Sequence, residues 1–217
     1  MATTGANTPR ERYRTQVRAE ITRRAWEQIA TAGASALSLN AIAKQMGMSG
    51  PALYRYFASR DDLITELVRE AYRSLAETLR AAAATGADLA GLARALRDWA
   101  LADPQRYLLV YGTPVPGYHA PADITAISSE IMTTLLDACA ALAPAGAATP
   151  LGAYLADHRD WAAGHPAPPE ALHRFLSVWT RLHGVLSLEL AGHFAGMDLD
   201  PALLFAAELD DLLAPRA

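Results

Sequence analysis

SLNAIAKQMGMSGPALYRYFASR, residues 38–60, reads as two short helices joined by a tight turn. Ser38 is an N-cap, because its hydroxyl can accept from an open N–H at a helix start. Ile42, Ala43 and Met46 follow at helical spacing and predict a short buried stripe over residues 40–46. Gly47 stands where the chain must leave the helix with positive φ, which glycine does without steric cost. Met48 can plug the gap between the helices. Ser49 is the next N-cap, and Pro51 sits in a first turn, where its missing N–H costs nothing. Leu53 and Phe57, four residues apart, face the core, which leaves Tyr54, Arg55 and Tyr56 off the buried stripe.

These spacings suit a helix-turn-helix, whose second helix enters the major groove while phosphates flank it. A phenol can donate to a phosphate oxygen from a rigid stem, and the open N–H groups at a helix start can do the same. A plain helical hairpin carrying two surface tyrosines satisfies the same local pattern.

The stretch also resembles the DNA-binding signature of the TetR family of bacterial regulators. The likeness rests on residues 40–46, the turn at 47–49, Leu53–Tyr54–Arg55–Tyr56–Phe57 and the basic Arg60 opening the next helix. It covers about the first third of the chain. Two positions depart from the common pattern: Ala52, where threonine or serine is usual, and Tyr56, where histidine is frequent. The resemblance implies an all-α fold, with a three-helix helix-turn-helix DNA-binding domain and a larger helical domain for ligand binding and dimerisation. It implies double-stranded DNA carrying a palindromic operator as partner, an unidentified small-molecule inducer, and no cofactor.

Charge points the same way. Residues 1–60 carry nine Lys/Arg against three Asp/Glu, a balance of +6, whereas residues 61–217 carry ten against twenty, a balance of −10. A basic head on an acidic body is expected where only the head meets a polyanion. Arg10, Arg12, Arg14 and Arg18 crowd the start of a helix predicted from Pro9 to about Ala32, with Val17, Ile21, Ala25, Ile29 and Ala30 as its apolar stripe. Cations oppose the helix dipole there, so phosphate contact explains them better than helix stability; a solvated charged end is the bland alternative. Arg10, Arg12, Arg14, Tyr54, Tyr56 and Arg60 are expected on phosphate, and Ser49, Gly50 and Ala52 at base edges. With glycine and alanine there, direct readout relies on backbone and methyl contacts. Ser38, Asn40 and Pro51 complete the candidate DNA-binding set; Arg60 can alternatively pair with the acids beside it.

At 217 residues, 52% of them hydrophobic, the chain can bury a sizeable core. Alanine and leucine dominate and β-branched residues are sparse, which favours helices. No apolar run approaches the ~20 residues of a membrane span. Residues 1–12 lack the apolar stretch of a secretory signal, and Cys139 is the only cysteine. A cytoplasmic, bacterial location without membrane association is therefore expected. The predicted domains are a head over 1–60 with a loose arm at 1–8, a connecting helix over 61–84, and a body over 85–217. Ser59-Arg60-Asp61-Asp62 resembles a capping box opening the connecting helix. Further helices are expected over about 87–102, 122–142, 151–163 (weakly), 169–194 and 201–213, with 105–111 a short segment, residues 112–121 a Pro/Gly-rich loop and 143–150 a linker.

The last two helices are apolar on more than one side. A four-helix bundle across a two-fold axis would cover both, and Leu172, Phe175, Leu182, Leu186, Leu190, Leu204 and Leu212 are the expected dimer-interface positions. Dimers also solve a recognition problem, because paired heads read half-sites about one turn (~34 Å) apart. WTRLHG, with Trp179, His183 and Gly184, resembles the Trp-His-Gly motif of one TetR ligand-domain type, and PQRYLLVYG at 104–112 its earlier segment. In that type the body binds a small inducer. Trp99, Tyr107, Tyr111, Tyr118, Met132, Trp161, Trp179 and His183 are candidate pocket residues, His183 being the best polar group; each also fits ordinary core. The six histidines show no i, i+3 or i, i+4 pairing of helical metal ligands. Neither a nucleophile elbow nor a phosphate-cradling glycine loop appears, so an enzyme is not expected. The sequence thus predicts a DNA-binding regulator, a repressor released by a small, largely apolar ligand. The alternative is a helical small-molecule binder whose head does not bind specific DNA.

Overall fold

The computed structural model describes residues 8–112, 114–115, 117–142 and 149–214, and all regular structure among them is helical. The expected arm at 1–8, apart from Thr8, and the expected linker at 143–150, apart from Thr149 and Pro150, lie outside the described residues. By compactness the chain divides inside its fourth helix, between Glu70 and Ala71, within the stretch expected as the connecting helix over 61–84. The described residues between Gly112 and Pro121 group with the first unit.

The first unit is built on α1 (Pro9–Ala32), a 3-10 turn (Ala34–Ala36), α2 (Leu39–Gln45), α3 (Gly50–Tyr54) and the start of α4 (Arg60–Ala84). Thr8 begins α1 with a capping box: Glu11 N–H donates to the Thr8 hydroxyl at 3.2 Å, and Thr8 N–H donates to the Glu11 carboxylate at 2.7 Å. Those bonds hold the Glu11 carboxyl below its usual pKa. Ile21, Ala25 and Ile29 bury the inner face, while Ala30, expected in the stripe, is exposed. Gly47, at φ 65°, closes α2 as a Schellman motif: Met48 N–H donates to Ala43 O at 2.9 Å and Gly47 N–H to Lys44 O at 3.2 Å. Leu53 and Phe57 are fully buried, as their spacing predicts. Ser59 caps α4, its hydroxyl accepting from Asp62 N–H at 3.0 Å, while the Asp62 carboxylate accepts from Ala58 N–H at 3.0 Å rather than from Ser59.

The second unit comprises the remainder of α4 with α5 (Leu89–Ala102), α6 (Pro104–Tyr111), α7 (Ala122–Ala141), α8 (Pro150–Asp157), a 3-10 turn (Asp160–Ala162), α9 (Pro169–Leu190) and α10 (Pro201–Leu213). Asp88, Asp103, Thr149 and Asp200 cap α5, α6, α8 and α10. α9 packs against α5, α6, α7, α8 and α10 of its own chain. The expected dimer-interface leucines lie within that crowding. Leu172, Phe175, Leu182, Leu186 and Leu212 are buried within the single chain, and the half-buried Leu190 and Leu204 pack on the same core. An apolar helix with many partners in its own subunit looks, in sequence, the same as one with a partner elsewhere.

Candidate nucleic-acid interface and body cavity

The first unit brings the start of α1 to the end of α3. Arg10 and Arg14, one turn apart on α1, line a cleft of about 280 Å³ together with Tyr13, Arg55 and Tyr56. No carboxylate lines it. The neighbouring cations are otherwise employed. Arg23 and Arg24 pair with Glu20 and Glu27. Arg18 donates to Tyr56 O at 2.6 Å, pairs with Glu66 at 3.4 Å, and lies 4.2 Å over the Phe57 ring. Arg10, Arg14 and Arg55 make no hydrogen bond or ion pair among the described residues. Three unneutralised guanidiniums and two phenols around one opening form an anion-attracting surface.

Other sequence-predicted residues fall around this cleft unevenly. Arg12 is exposed on α1 but does not line it. Ser38 caps α2 through Ala41 N–H at 3.3 Å, and its own N–H donates to Gln28 Oε1 at 3.0 Å. Asn40 is exposed, and its Oδ1 lies 3.5 Å from where a Cβ on Gly50 would stand, so the starts of α2 and α3 are neighbours. Ser49 has capping backbone geometry, but its hydroxyl makes no capping bond. Gly50, Pro51 and Ala52 form the first turn of α3, with Pro51 exposed. α3 ends at Tyr54, not at Phe57, so Tyr54 is an exposed final helical residue whereas Tyr56 sits in the following turn and faces the cleft. Tyr13 was not named from sequence and Arg55 was placed only off the buried stripe, because only the packing of α1 against the turn after α3 brings them together.

Arg60, expected on phosphate or paired with the acids beside it, is engaged within the head. Its guanidinium donates to Ala34 O at 2.9 Å, Leu37 O at 3.2 Å and Ser35 O at 3.3 Å, and lies 3.8 Å from Asp61. Those donors clasp the α1–α2 connection and are not free for phosphate.

In the second unit an aromatic chain runs through α9. Trp161 stacks on Phe175 and Phe175 on Trp179, each at 5.8 Å; Trp179 meets His183 at 4.1 Å and Tyr111 at 5.5 Å. Tyr111 contacts His183 at 4.4 Å, Tyr107 at 5.3 Å and, edge-on, Tyr72 of α4 at 6.1 Å. Tyr107 is fully buried, with its hydroxyl 2.9 Å from both His183 Nδ1 and Ser187 Oγ. Burial raises the Tyr107 and Tyr111 pKa values and lowers that of His183 to about 4, leaving a neutral imidazole. A cavity of about 20 Å³ is lined by Leu89, Ala93, Leu96, Leu135, Val178, Trp179, Leu182 and His183. Of the predicted pocket residues only Trp179 and His183 reach it. Trp99 is core, its indole donating to Ser74 Oγ at 3.1 Å; Met132 and Trp161 pack on the core, and Tyr118 belongs to the first unit. The aliphatic wall was invisible in sequence, because leucine and alanine there look like any core.

The exposed side of α9 and α10 carries small residues and two leucines beside Arg181, which pairs with Glu208 and Asp211. Thr180, Gly184 and Leu188 are exposed on α9, and Leu203, Ala206 and Ala207 on α10. Nothing lies within 4 Å of a Cβ built on Gly184. Among the described residues, no group of three His, Cys, Asp or Glu side chains could hold a metal ion.

Comparison with known proteins follows this division. The profile "Bacterial regulatory proteins, tetR family" matches residues 21–67, and "Tetracyclin repressor-like, C-terminal domain" matches residues 89–212. The HTH-type transcriptional regulator Mb1846 of Mycobacterium bovis is 37% identical over 220 residues, covering 94% of each chain. Rv1816 of Mycobacterium tuberculosis, also an HTH-type transcriptional regulator, matches to the same extent. A crystal structure of SCO4313, described as a regulatory protein, superposes with TM-score 0.89 at 72% identity, covering 96% of this chain and all of that one. A TetR-family regulator from Bordetella parapertussis shares the fold at TM-score 0.56 and 19% identity, covering 91% of this chain and 94% of its own.

Proposed function

The chain belongs to the TetR family of bacterial transcriptional regulators, and from that premise we propose that it acts as a homodimeric repressor that leaves its operator on binding a small apolar ligand. The observation that carries the DNA-binding reading is the carboxylate-free cleft of Arg10, Tyr13, Arg14, Arg55 and Tyr56. Arg10, Arg14 and Arg55 would hold one stretch of phosphate backbone, with Arg12 and Tyr54 adding contacts beside it. Such contacts set register and orientation on the duplex. Ser49, Gly50, Pro51, Ala52 and Asn40 would meet base edges through short side chains.

Two copies would pair through the small-residue face of α9 and α10, which replaces the buried leucines as the interface. Close approach of helices favours positions such as Gly184 and Ala207. The head over 1–60, the connecting helix over 61–84 and the body over 85–217 divide the labour. A ligand that binds better to a dimer with displaced heads weakens operator binding by the same factor by which operator weakens ligand binding.

Operator selection with the purified dimer, followed by a salt titration, tests this reading. Expected is saturable binding to a palindromic duplex, with log K falling against log salt. Each of Arg10→Ala, Arg14→Ala and Arg55→Ala should reduce that slope by about one. Unchanged slopes in all three would remove the cleft from the interface.

A further inference from the structure

We infer that Arg18 is a positioning residue for DNA binding: it fixes the turn after α3, and with it Arg55 and Tyr56, without touching DNA itself. The inference rests on the DNA-binding reading above and adds the part that holds one wall of the cleft. Arg10, Arg14 and Arg18 stand four residues apart along α1, so they share one face of that helix. The first two line the cleft and the third does not.

The other wall cannot hold itself. α3 has five residues and no side-chain cap, far short of the ~12–15 at which an isolated helix becomes even marginal. Arg55 and Tyr56 follow its last residue, in the turn. Their placement is therefore set by contacts from outside α3.

Arg18 supplies three such contacts from one guanidinium. One Nη donates to Tyr56 O at 2.6 Å, and the other donates to the Glu66 carboxylate at 3.4 Å. The guanidinium carbon lies 4.2 Å from the centre of the Phe57 ring, which is fully buried. The turn is thereby tied to α1, to α4 and to the core at once, and a bond from a charged donor is stronger than a neutral one. Glu66, which also pairs with Arg69 at 2.8 Å, offsets the charge of Arg18. Arg10 and Arg14 keep their charge for a polyanion, while Arg18 spends its own on the turn. Lysine cannot do the same work. An ammonium is a point charge, with no planar fork to span both acceptors while lying on the Phe57 ring.

Arg18→Lys, which conserves charge, tests this on the full-length protein beside Arg14→Ala and Ala25→Gly. Ala25 is buried on α1 two turns beyond Arg18, so Ala25→Gly weakens the same helix through its propensity. Arg18→Lys should weaken operator binding of the folded fraction about tenfold and keep the parent slope of log K against log salt. Arg14→Ala should lower that slope by about one, and Ala25→Gly should leave the affinity of its folded fraction unchanged. Without DNA, hydrogen exchange in Arg18→Lys should speed at the Tyr56 and Phe57 amides, whose bonds to Leu53 O close the turn. Exchange over α5–α10 should not change. The inference fails if Arg18→Lys binds operator within about twofold of the parent, or if its salt slope falls as in Arg14→Ala. It fails equally if Ala25→Gly weakens binding as much, or if exchange at the turn is unaltered. Arg18→Gln takes its place should Arg18→Lys not fold, and failure of both to fold makes Arg18 a folding residue and overturns the inference. A parent that selects no operator overturns the DNA-binding reading and this inference together, whereas a binding parent with an inert Arg18 overturns the inference alone.

Discussion

Arginines of the same charge do different work in the head, and only their neighbours separate them. Arg60 spends its guanidinium on three carbonyls between α1 and α2, whereas Arg10 has no protein partner among the described residues. Arg60→Ala should therefore lower unfolding free energy by about 1 kcal/mol, since three carbonyls, that of the buried Leu37 among them, lose a charged donor. Arg10→Ala should stay within about 0.5 kcal/mol of the parent while weakening DNA binding. Urea denaturation beside a DNA titration separates the two. The sequence made the excess of cations in residues 1–60 legible, and with it the region of the site. It could not show which cations are spent internally, because that depends on carbonyls 23 to 26 residues away. His183 carries a second residue-level consequence. Its pKa of about 4 in the folded chain lies below the ordinary value of 6.5, so the unfolded chain binds the extra proton. The stabilisation is complete above pH 6.5 and is lost as pH falls towards 4, to a total of about 3 kcal/mol. Thermal melts should show a steeper loss over that window for the parent than for His183→Leu; parallel curves would contradict the burial of a neutral ring.

At the scale of elements, caps and turns were the most readable features and lateral packing the least. Ser38, Gly47 and Ser59 act where their chemistry predicts. Gly47 gives a clean test. Its φ of 65° is costly for any residue with a Cβ, yet nothing lies within 4 Å of where that atom would be. Gly47→Ala should thus destabilise the head by about 1 kcal/mol through backbone strain alone, and Gly47→Asn by less, as read in chemical denaturation. Equal stability of all three would mean that the turn relaxes. Leu53 and Phe57 keep a helical spacing across a turn that is no longer helix, because α3 ends at Tyr54. Both reach the core because Tyr56 and Phe57 N–H groups still bond to Leu53 O, at 2.8 and 3.3 Å.

For the whole molecule, the separation of a +6 segment from a −10 remainder restricts where a polyanion can approach, and long-range steering adds to that restriction at low salt. The pairing surface is the harder inference. Hydrophobicity pointed to leucines that serve the chain's own core, while the uncovered face of α9 and α10 is marked by small side chains that carry almost no sequence signal. Two substitutions on one helix distinguish the assignments. Gly184→Arg places a long cation where nothing lies within 4 Å, so it should leave the monomer fold intact and shift sedimentation to monomer. Operator affinity should then fall steeply, because a lone head contacts one half-site. Leu186→Ala, at a fully buried position, should cost about 2–5 kcal/mol of stability through the cavity it opens. The surviving folded fraction should remain dimeric. Sedimentation velocity with both variants at matched concentration reads the difference directly: a dimeric Gly184→Arg alongside a monomeric, folded Leu186→Ala would return the interface to the leucine face.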